Sequence, residues 1–204
     1  MKNRNNKPSP EKYLRERVRA LSIGDCRVNS HWQEMGMAMV LVNRMHKQGT
    51  ITTGLYQLDT NCRGLIDTEY FFCMEPENIE KIRETFVEKE FLMERVSYTL
   101  VHNLVYGAID FAEEAGIKPH PDFNLTQYIL EEDTEDIPFM EFSFGEHGKH
   151  YLYADDEKML NKYLPTMKQH LGDNFGYILK EDYYRKYPEF IGNYIADSIG
   201  KTDK

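Results

Sequence analysis

Three acids and a thiol bunch around one short stretch of this chain: Asp59, Cys62, Asp67 and Glu69. Carboxylates at the mouth of a sheet can hold Mg²⁺ or Mn²⁺ and orient a water for phosphodiester hydrolysis. The plainer reading is that Asp59 closes an Asx-turn while Asp67 and Glu69 face water. A second group is His102, Tyr106, Asp110 and Glu113, at spacings of four, four and three. That spacing lines them along one helical stripe, where His102 could serve as a base or a ligand. The same stripe could equally be the boundary of a half-buried helix. A third is Lys118-Pro119-His120-Pro121-Asp122, in which two prolines stiffen a loop that either presents His120 and Asp122 or merely directs the chain. Cys62 would need a base to act as a nucleophile, and His102 is the candidate partner; a small buried thiol is the alternative. His147 and His150 form an HxxH pair across an expected turn, a weak metal signal. If a site exists, Asp59, Asp67 and His102 are its expected catalytic groups. Cys62, Glu69, Tyr106, His120 and Asp122 are the expected binding groups, and Asp59, Asp67, His102 and His120 should share one cleft.

The chain has no phosphate loop GxxxxGK[ST], no GxGxxG after a strand, no HExxH, no GxSxG and no paired CxxC. Its formal net charge of −9 argues against non-specific nucleic-acid binding, which draws on clustered Lys and Arg. The basic residues that do cluster (Arg4, Lys7, Lys12, Arg15, Arg17, Arg19) read as a solvated leader followed by a charged helix. Three cysteines, Cys26, Cys62 and Cys73, are an odd and scattered set, so reduced thiols in a cytoplasm are expected. The longest apolar run, residues 37–42, is six long, whereas a bilayer-spanning helix needs about twenty. The polar, basic start of the chain predicts no secretory signal.

Positioning these groups requires a scaffold. Residues 1–10 are expected to be a disordered tail, followed by a helix from Ser9-Pro10-Glu11 to about Leu21, with Gly24 and Asn29-Ser30 as punctuation. Residues 36–74 read as a three-stranded antiparallel meander, its first strand apolar enough to be buried on both faces. Ile79, Ile82 and Phe86 mark a covering helix. The strongest helix spans 97–115, with Leu100, Val101, Leu104, Val105, Ala108, Ile109 and Ala112 on one side and Gly116 as its stop. Asn124 and Gln127 resemble a capping box for a short helix through Leu130. Residues 131–136 are an acidic run, read as a solvated loop. Residues 139–144 and 151–153 flank a Gly145–Gly148 turn and predict a hairpin; Asp155-Asp156 opens a helix to about Leu171. Phe190, Ile191, Tyr194, Ile195 and Ile199 form an apolar stripe on a last helix starting at Pro188.

Two blocks carry a resemblance. The first joins Trp32, AMVLVNR over 38–44, GLYQLD over 54–59 and CRGLIDT over 62–68; the second joins HNLVYGAIDFAE over 102–113 and GIKPHPDF over 116–123. Together they resemble a family of uncharacterised bacterial proteins, a domain of unknown function. FGEHGK over 144–149 with Asp155-Asp156 is similar to that family's later hairpin. The likeness spans roughly residues 25–175 and departs at Ile117, where the family pattern has an aromatic, and at His150, where it has proline. It implies one intact domain and brings no catalytic role with it.

The expected fold is α+β: a mostly antiparallel sheet from residues 36–74 and 139–153, covered by helices in a single domain over 11–180, with a helical extension over 181–204. The expected function is a non-catalytic binding or accessory protein of the bacterial cytoplasm. Its partner would be an unidentified protein or small molecule, with no membrane and with 188–199 as a candidate homodimer face. The alternative is a metal-dependent hydrolase or nuclease, the only reading that calls for a divalent metal.

Overall fold

The structure, a computed structural model, describes residues 8–87 and 92–186. The chain opens with α1 (Pro10–Arg17), capped by the Ser9 hydroxyl, and a 3-10 turn over Val18–Ala20. Next come β1 (Ser22–Asn29), the one-turn helix α2 (Trp32–Met35), and the strands β2 (Met37–Met45), β3 (Ile51–Asp59) and β4 (Gly64–Met74). After α3 (Pro76–Val87) and β5 (Met93–Val96) runs the long helix α4 (Tyr98–Glu114). The remainder is α5 (Phe123–Thr126), a 3-10 turn over Gln127–Ile129, β6 (Tyr151–Ala154), α6 (Glu157–Leu171), β7 (Gly176–Leu179) and α7 (Lys180–Lys186).

Five strands form one antiparallel sheet in the order β4-β3-β2-β1-β5, so the fold is α+β as the pattern predicts. The helix expected over 97–115 is α4, with the Ser97 hydroxyl accepting from Leu100 N at 3.2 Å. Its stripe of Val101, Leu104, Val105, Ala108 and Ile109 meets Ala38, Val40, Val42, Tyr56, Leu58 and Leu65 from the sheet. On the opposite face Leu41 and Leu55 pack with Ile82 and Phe86 of α3. Covered on both sides, β2 can be apolar at consecutive positions rather than alternating.

Strand β1 occupies the stretch read as punctuation, and residues 139–150 do not join the sheet. They contribute one isolated bridge, Glu146↔Lys149. The alternating aromatics of 139–144 suggest a strand, but the Asn103 side chain takes the backbone groups a strand partner would need. Its Nδ2 donates to Pro138 O at 3.1 Å, and its Oδ1 accepts from Met140 N at 3.0 Å. Strand β6 instead pairs in parallel with β7, across α6. This β6-α6-β7 unit packs through Leu152, Ala154 and Met167 on Ala112, Ala115 and Cys62 at the far end of α4. The expected capping box at Asn124 is absent too: Asp122 holds the N-cap position of α5 without a side-chain bond.

The acidic run is not merely solvated. Arg44, fully buried on β2, donates to Ile129 O at 2.7 Å, to Leu21 O at 3.0 Å and to Glu131 Oε1 at 2.8 Å. Arg19 pairs with Glu132 at 2.5 Å. The two arginines thus tie the first and second 3-10 turns to the sheet. The apolar stripe of 188–199 lies outside the described residues.

Candidate functional site

The expected site residues separate into three places. Asp59 ends β3 and is 4% exposed. Its Oδ1 accepts from the amides of Asn61 and Cys62, both at 3.0 Å, and its Oδ2 accepts from Arg63 Nε at 2.5 Å. The carboxylate is thus consumed by the turn it builds. Cys62 lies beneath that turn, its Sγ 3.8 Å from Met167 Sδ. Burial pushes its thiol up to about 12, which leaves it protonated and a poor nucleophile at neutral pH.

Asp67 and Glu69 are exposed on β4. Thr68 between them points to the α4 side, where its hydroxyl meets Thr126 Oγ1 at 2.9 Å, so strand alternation turns Asp67 and Glu69 to the opposite face. His120 hangs on the outer edge of β4, its amide donating to Leu65 O. Its ring stands 3.9 Å from Asp67 Oδ1 and 3.9 Å from Asp122 Oδ2. The structure therefore brings Asp67, His120 and Asp122 together as a surface group.

His102 is on α4, 1% exposed, with Tyr106 4.7 Å and Tyr98 5.6 Å from its ring. Burial pushes its pKa below the ordinary range, opposed by the Asp133 carboxylate and the Glu131 and Glu132 carbonyls of the loop above. Tyr106 donates to Glu131 O at 3.3 Å, and burial pushes its phenol up to about 12. Asp110, one helical turn on, is raised by burial and by Asp133, Glu113 and Glu114. His150 of the HxxH pair is stacked on Phe111 at 3.8 Å, with Nε2 2.5 Å from Phe111 O. Among the described residues no group of three or more His, Cys, Asp or Glu is placed to hold a metal ion.

The cleft is elsewhere, beside the Asp59 turn. Three backbone bonds clasp its floor: Thr60 N to Gly36 O at 3.0 Å, Gly145 N to Thr60 O at 2.9 Å, and Tyr151 N to Asn61 O at 2.9 Å. Gly36 sits at φ +65° directly against Asn61, and a Cβ there would stand 1.9 Å from Asn61 Nδ2. Only glycine admits that backbone and that contact together. The resulting cleft holds about 450 Å³ between α2, the 145–149 turn, the end of β6 and α7.

Its walls carry three acids and three phenols, with Lys180, Gln33, Met35 and Asn61 among them. Glu34 comes from α2, Glu146 from the turn, and Asp155 from the end of β6. Tyr153 donates to Glu146, and its ring meets Tyr183 edge-on at 5.8 Å; Tyr183 meets Tyr184 at 5.9 Å. Burial and the bond to Glu146 push the Tyr153 phenol far upward, so it stays a donor. Lys180 pairs with Asp155 at 3.6 Å and His31 with Glu34 at 3.0 Å. Carboxylates alternating with ring faces suit a cation: the acids supply charge-assisted hydrogen bonds and the rings cation–π contact.

Sequence reasoning found the turn that floors this cleft but not the residues that line it. Glu146 and Asp155 fall inside stretches quoted for the resemblance, without a role. Glu34 lies on a helix of four residues, too short to show a period. Compared with family models, with curated proteins and with solved structures, the chain matches none.

Proposed function

We propose that this chain is a non-catalytic binding protein of the bacterial cytoplasm, and that its cleft takes a cationic group, an amine or guanidinium. The observation that supports the reading is the meeting of Glu34, Glu146 and Asp155 with the rings of Tyr153 and Tyr183 around one cavity. A net charge of −9 adds long-range attraction for such ligands. The cytoplasmic placement rests on three free cysteines, and the family assignment on the blocks within 25–175. Among the described residues no helix is long and apolar enough to cross a membrane.

The metal-dependent hydrolase reading draws on Asp59, Asp67, Glu69 and His102, which have no shared centre here. The two readings part in a titration. Trp32, the single tryptophan, is on α2 beside the cleft and reports on it by fluorescence. Spermidine should give a saturable change that weakens with salt, and Mn²⁺ should give none. A saturable Mn²⁺ response abolished by Asp67→Asn would replace this reading with the hydrolase.

A further inference from the structure

A second cavity, of about 440 Å³, lies at the other end of the sheet between β1, α3 and β5, and its charged lining is Asp25 and Glu80 with Arg83 and Arg95. The register of β1 on β2 breaks between Ile23 and Cys26, so Gly24 and Asp25 form a bulge. Bulges re-aim side chains. This one sends the Asp25 carboxylate among three guanidinium groups drawn from three elements. Arg27 Nε of β1 is 2.6 Å from Oδ2, Arg83 Nη1 of α3 is 3.3 Å from Oδ2, and Arg95 Nε of β5 is 2.7 Å from Oδ1. Glu80 pairs with Arg83 as the second acid of the group. Counting Arg27, which stands behind the lining, the cluster sets three guanidinium groups against two carboxylates, within a chain of net charge −9.

The three arginines are not equivalent. Arg27 is fixed, since its Nη1 also donates to Met93 O at 3.0 Å. Arg95 is 75% exposed and, among the described residues, has Asp25 as its one ion-pair partner. Asp25 Oδ1 is buried and lacks a well-directed hydrogen bond, even with Arg95 Nε at 2.7 Å. The contact is ionic without the alignment that an engaged guanidinium fork gives a carboxylate. Two carboxylates cannot saturate three forks, each of which carries five donors.

We propose that this cavity binds an oxyanion, a phosphate or carboxylate group, gripped by Arg83 and Arg95 with Arg27 behind them. Asp25 holds the arginines together in the free protein and competes with the ligand for them. The observations that carry this are independent of the acidic cleft, so either site can stand without the other.

The test is calorimetry on the full chain at constant ionic strength, with inorganic phosphate in one arm and citrate in the other. One saturable site for either anion is expected, and the arm that binds names the source. Arg95→Gln, a change at an exposed side chain, should weaken binding at least about tenfold while thermal unfolding stays where it was, the loss of one well-made bidentate contact. Asp25→Asn should tighten binding by removing the competitor, whereas arginines that serve only as a clamp between α3, β1 and β5 would gain no affinity from it. If Asp25→Asn does not fold, Arg95→Gln decides alone. The proposal is overturned if neither anion binds the native protein, or if Arg95→Gln binds as well as the native chain does.

Discussion

The two ends of the β2–β3 strand pair carry cavities of nearly equal size, about 450 and 440 Å³, and different character. At one end Glu34, Glu146 and Asp155 line the space with three tyrosines and Lys180; at the other, Arg83 and Arg95 face Asp25 and Glu80. Each end also has an aspartate, one at a strand end and one in a bulge. Asp59 sits at the end of β3 and is saturated by two amides and one arginine. Asp25 sits in a bulge and is contested by three arginines. The same residue type is thus a finished piece of turn structure in one place and an unfinished ion pair in the other. Composition predicts neither outcome, because net charge says nothing about which groups the backbone brings together.

One core holds both ends, and breaking it should have the largest effect. Leu104 is fully buried in the middle of α4, against the sheet. Leu104→Ala should cost about 2–5 kcal/mol through lost transfer energy and the cavity left behind. Urea melts check this, and a loss under about 1 kcal/mol would mean that α4 does not support the sheet.

Gly36→Ala should separate the two ends. The new Cβ meets Asn61 and the backbone is left-handed, a strain of about 1–3 kcal/mol confined to the acidic cleft. The amine response should fall while the oxyanion response stays. Equal loss at both ends would show that they are coupled.

The helices and the central strands were legible because their signals are local. The α4 stripe repeats at helical spacing between Ser97 and Gly116, and Asp156 caps α6 where an acid pair announces a helix start. Strand β1 was not, because the bulge at Gly24-Asp25 breaks its alternation. Strand β5 spans only Met93–Val96, and the pairing of β6 with β7 depends on a crossover that no local pattern encodes. Of the candidate residues, Asp59 was readable as a turn former. The lining of the cleft was not readable, since Glu34, Glu146 and Asp155 meet only in three dimensions. Nothing in the sequence marks Arg44 as the buried guanidinium it is.

A smaller effect follows from His102. Its folded pKa is depressed by burial, so the unfolded chain binds the proton more tightly. Stability from this group is therefore complete above the ordinary histidine value of about 6.5 and is lost as pH falls toward the folded value. Urea melts from neutral to mildly acid pH should show that decline, and His102→Phe should flatten it. An unchanged slope in the variant would assign the decline elsewhere, His46 being the other histidine whose pKa burial lowers.

The smallest perturbation sharpens the contrast without changing the fold. Cys62 and Cys73 lie near opposite ends of the β3–β4 pair. Cys73 is exposed, with its Sγ 3.5 Å from His46 Nε2. Cys62 and Cys26 are buried, with thiols pushed up to about 12 and about 11. Maleimide on the native protein should label Cys73 alone, as mass spectrometry of the digested chain can read. Labelling of Cys62 at a comparable rate would mean that the turn over it opens readily.

The central claim is that the acidic cleft holds a cation, and titration of spermidine into the native chain and into Glu146→Gln and Asp155→Asn tests it most directly. Binding to one site on the native protein, weakened several-fold or more in each variant and left intact in Arg95→Gln, is the result this account predicts. Equal binding by the native chain and both cleft variants, or no binding at low ionic strength, would contradict it.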